Sequence, residues 1–281
     1  MGDILKSHPA TFYHYEPLLH YGIHQVRPSN PKLAQDALRV LKSLLQCNYE
    51  GLDDYISYGK SHYWLFTHNE RLWDHCRKGQ NPACWAPSTL QRICSLHPFQ
   101  SLKTVRLRLE LARDILEDKA LLHTKILHIS RKHRDWCPGQ PDCDEPDHLC
   151  SDLLADYSAA VALLRDYPSR FMVFRYEDFS QDPYIHSETV LRFFNFAYTE
   201  SIRDFLRSHT GVNKGGVSST FRDSNKAPYH WIKDLSPEEV RRIQGPCREA
   251  MKAWGYIPMG ERDYIEPQGF KPLGNYTLRG G

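Results

Sequence analysis

Ser130–Cys150 reads SRKHRDWCPGQPDCDEPDHLC, and Arg170–Pro183 reads RFMVFRYEDFSQDP. The first opens on a basic cluster, Arg131, Lys132, His133 and Arg134, directly behind the apolar run TKILHI at 124–129. Between the two stretches, Leu153, Leu154, Tyr157, Ala160, Val161 and Leu164 recur at helical spacing and predict a helix over about 151–167. FMVFRY at 171–176 then predicts a strand that ends in charge. Strand, helix, strand in this order makes a βαβ unit, because parallel neighbours need a crossover. Such an order suits an α/β protein that holds a multiply charged anion at a sheet edge.

Working outward, HPATFYHYEP at 8–17 predicts a short strand closed by a turn at Pro17. Ser29-Asn30-Pro31 offers a cap with Pro at the first helical position, and Leu33, Ala34, Ala37, Leu38, Leu41, Leu44 and Leu45 carry the helix over 31–46. KTVRL at 103–107 predicts another strand, residues 109–116 a helix, and 189–196 a further helix. Ser236-Pro237-Glu238-Glu239 is a capping box that opens a helix to about Trp254, with Gly255 where a stop is expected. Residues 48–100, rich in His, Trp, Cys and Gly, show no clear period and predict an insertion of short helices pinned by cysteines. The expected fold class is α/β, a parallel sheet flanked by helices. A single domain over 1–281 is expected, with its core at about 2–256 and an irregular tail at 257–281. Ligands of open parallel sheets bind beyond the carboxyl ends of the strands, here Glu16-Pro17, Ser130-Arg131 and Glu177-Asp178.

The 281 residues carry a formal charge of only +2, so bulk electrostatics does not point to nucleic acid, and an anion site must be local. No internal repeat is present, and no apolar run approaches the roughly 18 residues that cross a bilayer. MGDILKSHPATF has no apolar core region, so it does not read as a signal peptide. Eight cysteines and the sequon Asn275-Tyr276-Thr277 point instead to an oxidising, secretory compartment. Cys137, Cys143 and Cys150, with His133 and His148, admit a zinc site or disulfides. Their spacing lacks a paired C-x₂-C knuckle, which favours disulfides, with Cys137–Cys143 the short loop. Cys247 then pairs with Cys84, with Cys94 or with nothing. Trp64, Trp73, Trp85 and Trp231 are either sugar-stacking or packing residues.

With these residues in hand, the chain resembles the Golgi carbohydrate sulfotransferases, in particular the galactose and N-acetylglucosamine 6-O-sulfotransferases. The resemblance rests on HPATFYHYEP at 8–17, LKTVRLR at 102–108, SRKHRDWCPGQPDC at 130–143 and FRYEDFSQDP at 174–183. SSTFRDSNKAPYHWIKDLS at 218–236 and IQGPCREAMKAWGY at 243–256 complete it, in the family's order. It implies a nucleotide-kinase-like, P-loop-like sheet and sulfuryl transfer from 3′-phosphoadenosine 5′-phosphosulfate to a glycan hydroxyl, with no metal. By position, Glu16 would be the general base, and Ser130 and Arg131 would hold the 3′-phosphate. Arg222 and Ser224 would lie in a late segment over the nucleotide, with Lys214-Gly215-Gly216 as a covering loop. Arg175, Glu177 and Asp178 are read chiefly as an ion-pair network that fixes a strand end.

Two departures from the family pattern stand out. The family carries a strand and an Arg-Ser/Thr-Gly-Ser-Ser loop before the segment matching GDILKSHP, and a membrane anchor upstream; this sequence begins inside the helix that follows the loop. Around Ile129 the family's Val-Arg-Asp-Pro-Arg is replaced by a direct run into Ser130-Arg131. Either Arg131 stands for the first arginine, or a deletion leaves Ser130-Arg131 as the motif's end; the continuation KHRDWCPGQPDC favours the deletion. The expectation is an N-terminally incomplete sulfotransferase with impaired donor binding, lumenal in its complete form. A catalytically inactive glycan- or partner-binding relative is the alternative.

Overall fold

The computed structural model describes residues 2–76, 81–130, 139–215, 219–276 and 278. They fall into two compact units, Met1–Thr124 and Lys125–Gly281, each with buried apolar residues of its own. Arg131 to Pro138, and with them the basic cluster and Cys137, lie outside the described residues, as does Gly216 of the expected covering loop.

In the first unit, β1 (Thr11–Tyr15) and β2 (Phe99–Lys103) pair in parallel, from Thr11 opposite Phe99 to Tyr15 opposite Lys103. Thr11 to His14 are all buried, so this strand reads as an unbroken run rather than an alternation. The Pro31–Leu45 helix lies where expected: Asn30 caps it by accepting from the Leu33 amide at 3.2 Å, and Ala37, Leu41 and Leu44 are its buried stripe. The strand expected over 103–107 is displaced toward the N-terminus. Beyond Lys103 the backbone leaves β1, and Leu107 bridges Val26 instead, with the Val26 amide donating to Arg106 O at 2.7 Å. FQSLK is too polar to announce itself as a strand; pairing with the buried β1 makes it one.

The insertion is a set of short helices, as expected: Asp53–Ser61, the 3₁₀ turn Tyr63–His68, Glu70–His75 and Pro87–Ser95. Disulfides Cys47–Cys94 and Cys76–Cys84 pin it.

In the second unit, β3 (Ile126–Ser130) and β4 (Phe171–Arg175) also pair in parallel, Ile126 opposite Phe171 and Ser130 opposite Arg175. The Pro146–Asp166 helix lies between them in the chain and starts earlier than its apolar stripe indicated, with Pro146 in its first turn. Tyr176–Gln181 and Pro183–Phe193 follow β4, the second capped by Asp182. Pro183 begins that helix ahead of the expected 189–196, and Asn195, with φ of +63°, lies beyond its end. Glu200–His209 is a helix that the periodicity did not single out. The Ser236/Glu239 capping box is present, and the Pro237–Ala253 helix it opens is followed by Gly255 with φ of +68°.

Cys247 is bonded to Cys150, not to Cys84 or Cys94, with Cα atoms 4.8 Å apart. Both cysteines are buried beside Ile243 where the Pro146–Asp166 and Pro237–Ala253 helices pack, and that packing decides the pairing. The bond also removes Cys150 from any zinc site. Residues 257–276, expected to be irregular, contain a short Glu261–Ile265 helix and return to hydrogen-bond Gly255 through the Gly274 amide.

Candidate active site

Glu16 is the first residue beyond β1. Its φ of +46° is left-handed, a conformation that costs a non-glycine residue on the order of 1 kcal/mol or more and persists only where the surroundings enforce it. The enforcement is visible: its amide donates to Lys103 O at 2.8 Å, and its carbonyl accepts from the Leu19 amide at 3.1 Å. The side chain is turned inward and is only 5 % exposed. Oε2 accepts from Arg106 Nη1 at 3.1 Å, and Oε1 accepts from the Lys103 ammonium. Lys103 closes the β2 register opposite Tyr15, so parallel pairing delivers it to the carboxylate.

An ionised carboxylate offers about four lone-pair positions, and these two cations occupy two of them. What results is an aimed carboxylate with capacity left to take a proton. Its counter-charge is partly mobile, because the Lys103 side chain is 38 % exposed.

Behind Glu16 lies a cavity of about 20 Å³, lined by His14, Tyr49, Tyr55, Phe66 and Asn69 among others. That volume suits one water molecule. His14 Nε2 and Asn69 Nδ2 are buried there with no hydrogen-bond partner among the described residues. Burial pushes the His14 imidazole down to about 3, so it is neutral at pH 7, and burial also raises the Tyr13 and Tyr55 phenols.

The strand end of β4 is built differently. Arg175 gives its Nε and Nη2 to Asp178 at 2.7 and 2.8 Å. Its Nη1 donates to the carbonyls of Trp254, Gly255 and Gly274 at 3.1, 3.1 and 3.0 Å. The guanidinium also lies 4.2 Å from the Tyr276 ring centre. Next to it, Tyr256 donates to Glu177 Oε2 at 2.8 Å. Burial raises the Glu177 carboxyl above its ordinary value, against the Tyr256 hydrogen bond and the Arg175 charge, which pull it down. These residues form the strand-fixing network expected of them.

Ser130 ends β3 opposite Arg175 and is 2 % exposed. Arg222 and Ser224 are half-buried and anchored by main-chain bonds to the end of the Glu200–His209 helix, their amides donating to His209 O and Thr210 O at 2.9 Å each. Glu16 belongs to the first unit, and Ser130, Arg222 and Ser224 to the second. Sequence reasoning overlooked Lys103 and Arg106 as partners of Glu16. Both stand in the quoted motif LKTVRLR, but only the β1–β2 register shows which carboxylate they face.

By sequence the chain is similar to curated carbohydrate sulfotransferases, a likeness that supports a transferase. The chain is 22 % identical to mouse carbohydrate sulfotransferase 5, over 91 % of its own length and 77 % of the relative's. It is 22 % identical to human carbohydrate sulfotransferase 6, covering 94 % of this chain and 78 % of that one. The Tetronarce californica carbohydrate sulfotransferase 3 is 26 % identical over 59 % of this chain but only 43 % of the relative's length. No family model matches the sequence, and no solved structure matches it. Among the described residues, no helix is long and apolar enough to cross a membrane, and no group of His, Cys, Asp and Glu is set to hold a metal ion.

Proposed function

We propose that this chain moves a sulfuryl group from 3′-phosphoadenosine 5′-phosphosulfate to a hydroxyl of a glycan, the 6-hydroxyl of galactose or N-acetylglucosamine. The observation that carries it is Glu16: buried, backbone-strained, and aimed by Lys103 and Arg106 at a strand's carboxyl end. In the proposed step the acceptor hydroxyl gives its proton to Glu16 while its oxygen bonds to sulfur. The bond from sulfur to the phosphate oxygen breaks, and its electron pair leaves on the nucleotide. Ser130 and Arg131 are proposed to face the 3′-phosphate, and Arg222 and Ser224 the nucleotide. Residues 1–281 are proposed to work as one domain. The three disulfides among the described residues and the exposed Asn275 of the sequon fit a Golgi-lumenal setting.

One observation favours a second reading, a glycan-binding relative with little turnover: the Ser130 hydroxyl, needed at the 3′-phosphate, is buried. Calorimetry with the desulfated nucleotide and with an N-acetyllactosamine acceptor separates the two. Affinity for both, with slow transfer from radiolabelled donor that falls at least about 100-fold in Glu16→Gln, is the outcome expected of the enzyme. Glycan affinity without nucleotide affinity leaves only the binder. Transfer untouched by Glu16→Gln removes Glu16 as the base.

A further inference from the structure

Asn275-Tyr276-Thr277 is the one Asn-X-Ser/Thr triplet in the sequence. Such triplets arise often by chance, so the surroundings of the asparagine must decide whether this one is used.

Around Asn275 the segment is held on both sides. The Gly274 amide donates to Gly255 O at 2.8 Å, and Leu273 bridges Tyr256 in antiparallel fashion. The Gly274 carbonyl accepts from Arg175 Nη1 at 3.0 Å. On the other side, the centre of the Tyr276 ring lies 4.2 Å from the Arg175 guanidinium and 6.1 Å from that of the Trp254 ring. The Asn275 carbonyl closes onto Gly255: a Cβ there would come 2.9 Å from its oxygen and 2.6 Å from the Tyr276 Cβ. Both neighbours are thus committed to the fold, while Asn275 itself is exposed. A bulky hydrophilic group can be carried there without displacing anything the fold uses. The disulfides Cys47–Cys94, Cys76–Cys84 and Cys150–Cys247 give an independent reason to place the chain in the compartment where such groups are attached.

We propose that Asn275 is an N-glycosylation site that takes its oligosaccharide from a polyprenyl-diphosphate carrier. The proposal rests on the lumenal setting given above. In the transfer, Asn275 Nδ2 bonds to C1 of the first sugar and loses a proton to the transferring enzyme. The bond from C1 to the diphosphate oxygen breaks, and its electron pair leaves on the carrier. An enzyme that reads Thr277 while reacting at Asn275 must grip the segment across Tyr276, whose ring the folded chain holds against Arg175. Transfer therefore precedes docking of this segment, and the folded chain carries its glycan on a fixed stem beside the end of β4.

The test expresses residues 1–281 in human cells behind a cleavable secretory leader and runs total lysate on a gel with and without peptide-N-glycosidase. The wild-type chain is expected to shift by one glycan on digestion, with residue 275 converted to aspartate in the mass spectrum. Asn275→Gln and Thr277→Ala should each migrate with the digested chain, whereas Thr277→Ser, which keeps the hydroxyl, should retain a glycosylated fraction. The gel scores every chain, folded or not, so a variant that misfolds still gives an answer. Gly255→Val, which bars docking, should leave occupancy at or above that of wild type; a fall would overturn the order of events. No shift in wild type, a shift that survives Asn275→Gln, or no glycosylated fraction in Thr277→Ser overturns the site. Because the leader supplies the compartment, such a failure strikes the site alone; native protein found in the cytosol would instead strike the lumenal setting.

Discussion

β1 and β4 both end in charged residues at the carboxyl edge of a two-stranded parallel sheet, yet the two ends do different things. At β4, Arg175 spends its fork on one carboxylate and three main-chain carbonyls, partners that are part of the fold. At β1, Glu16 is held by two side-chain cations, one of which reaches water. The first arrangement is a fastener, since its donors are committed to the neighbouring Asp178 and to three backbone carbonyls. The second keeps a charge oriented and exchangeable, as a proton acceptor needs. Charge at a strand tip is therefore ambiguous by itself; what decides is whether the partners include the backbone or are mobile side chains alone.

The strongest way to break the comparison is to remove each charge in turn. Arg175→Ala should cost about 3–5 kcal/mol, because Asp178 and three carbonyls lose a buried partner. Urea unfolding checks it. Arg175→Lys should recover little, since an ammonium cannot reproduce the planar fork. Glu16→Gln should cost less, about 1.5–3 kcal/mol, the scale of charged hydrogen bonds, because the amide still accepts and Lys103 can turn to solvent. Equal losses at the two sites would erase the distinction.

A second test uses pH. The folded His14 takes its proton only near pH 3, whereas the unfolded chain takes it near the ordinary 6.5. The unfolded state thus binds more protons between those values, so stability is full above about pH 6.5 and drains as pH falls, by roughly 1.4 kcal/mol per unit. His14→Gln should flatten that acid slope in thermal melts. An unchanged slope would place the acid sensitivity elsewhere.

The smallest expected effect is at the fastener's margin. Tyr256→Phe removes the donor to Glu177 Oε2 and should cost about 1–2 kcal/mol near neutral pH. The raised Glu177 carboxyl means that the folded state holds its proton to higher pH than the unfolded chain, so stability declines as pH climbs through the carboxylate range. The Tyr256→Phe penalty should accordingly shrink in acid, where the unpaired carboxyl is neutral. A penalty independent of pH would show that the phenol acts by packing alone.

Much of this was legible in the chain, and the reasons differ by element. The Pro31–Leu45 and Pro237–Ala253 helices announce themselves through local chemistry: a cap, a proline at the first position, an apolar stripe. β3 and β4 show as short apolar runs although most of their residues are only partly buried, while β1 is buried from Thr11 to His14. β2 was misplaced because its residues are polar and its pairing is set by a partner far away in sequence. The Cys150–Cys247 bond escaped for the same reason, since helix packing brings those cysteines together. Glu16 stood out at a strand end, but Lys103 and Arg106, which give it direction, depend on register.

The Cys150–Cys247 bond closes nearly a hundred residues into a covalent ring, the two positions being 97 apart in sequence. Exposed Lys214 lies inside that ring. A single tryptic cut there would leave both fragments tethered, so the nick would be silent on a gel until thiol was added.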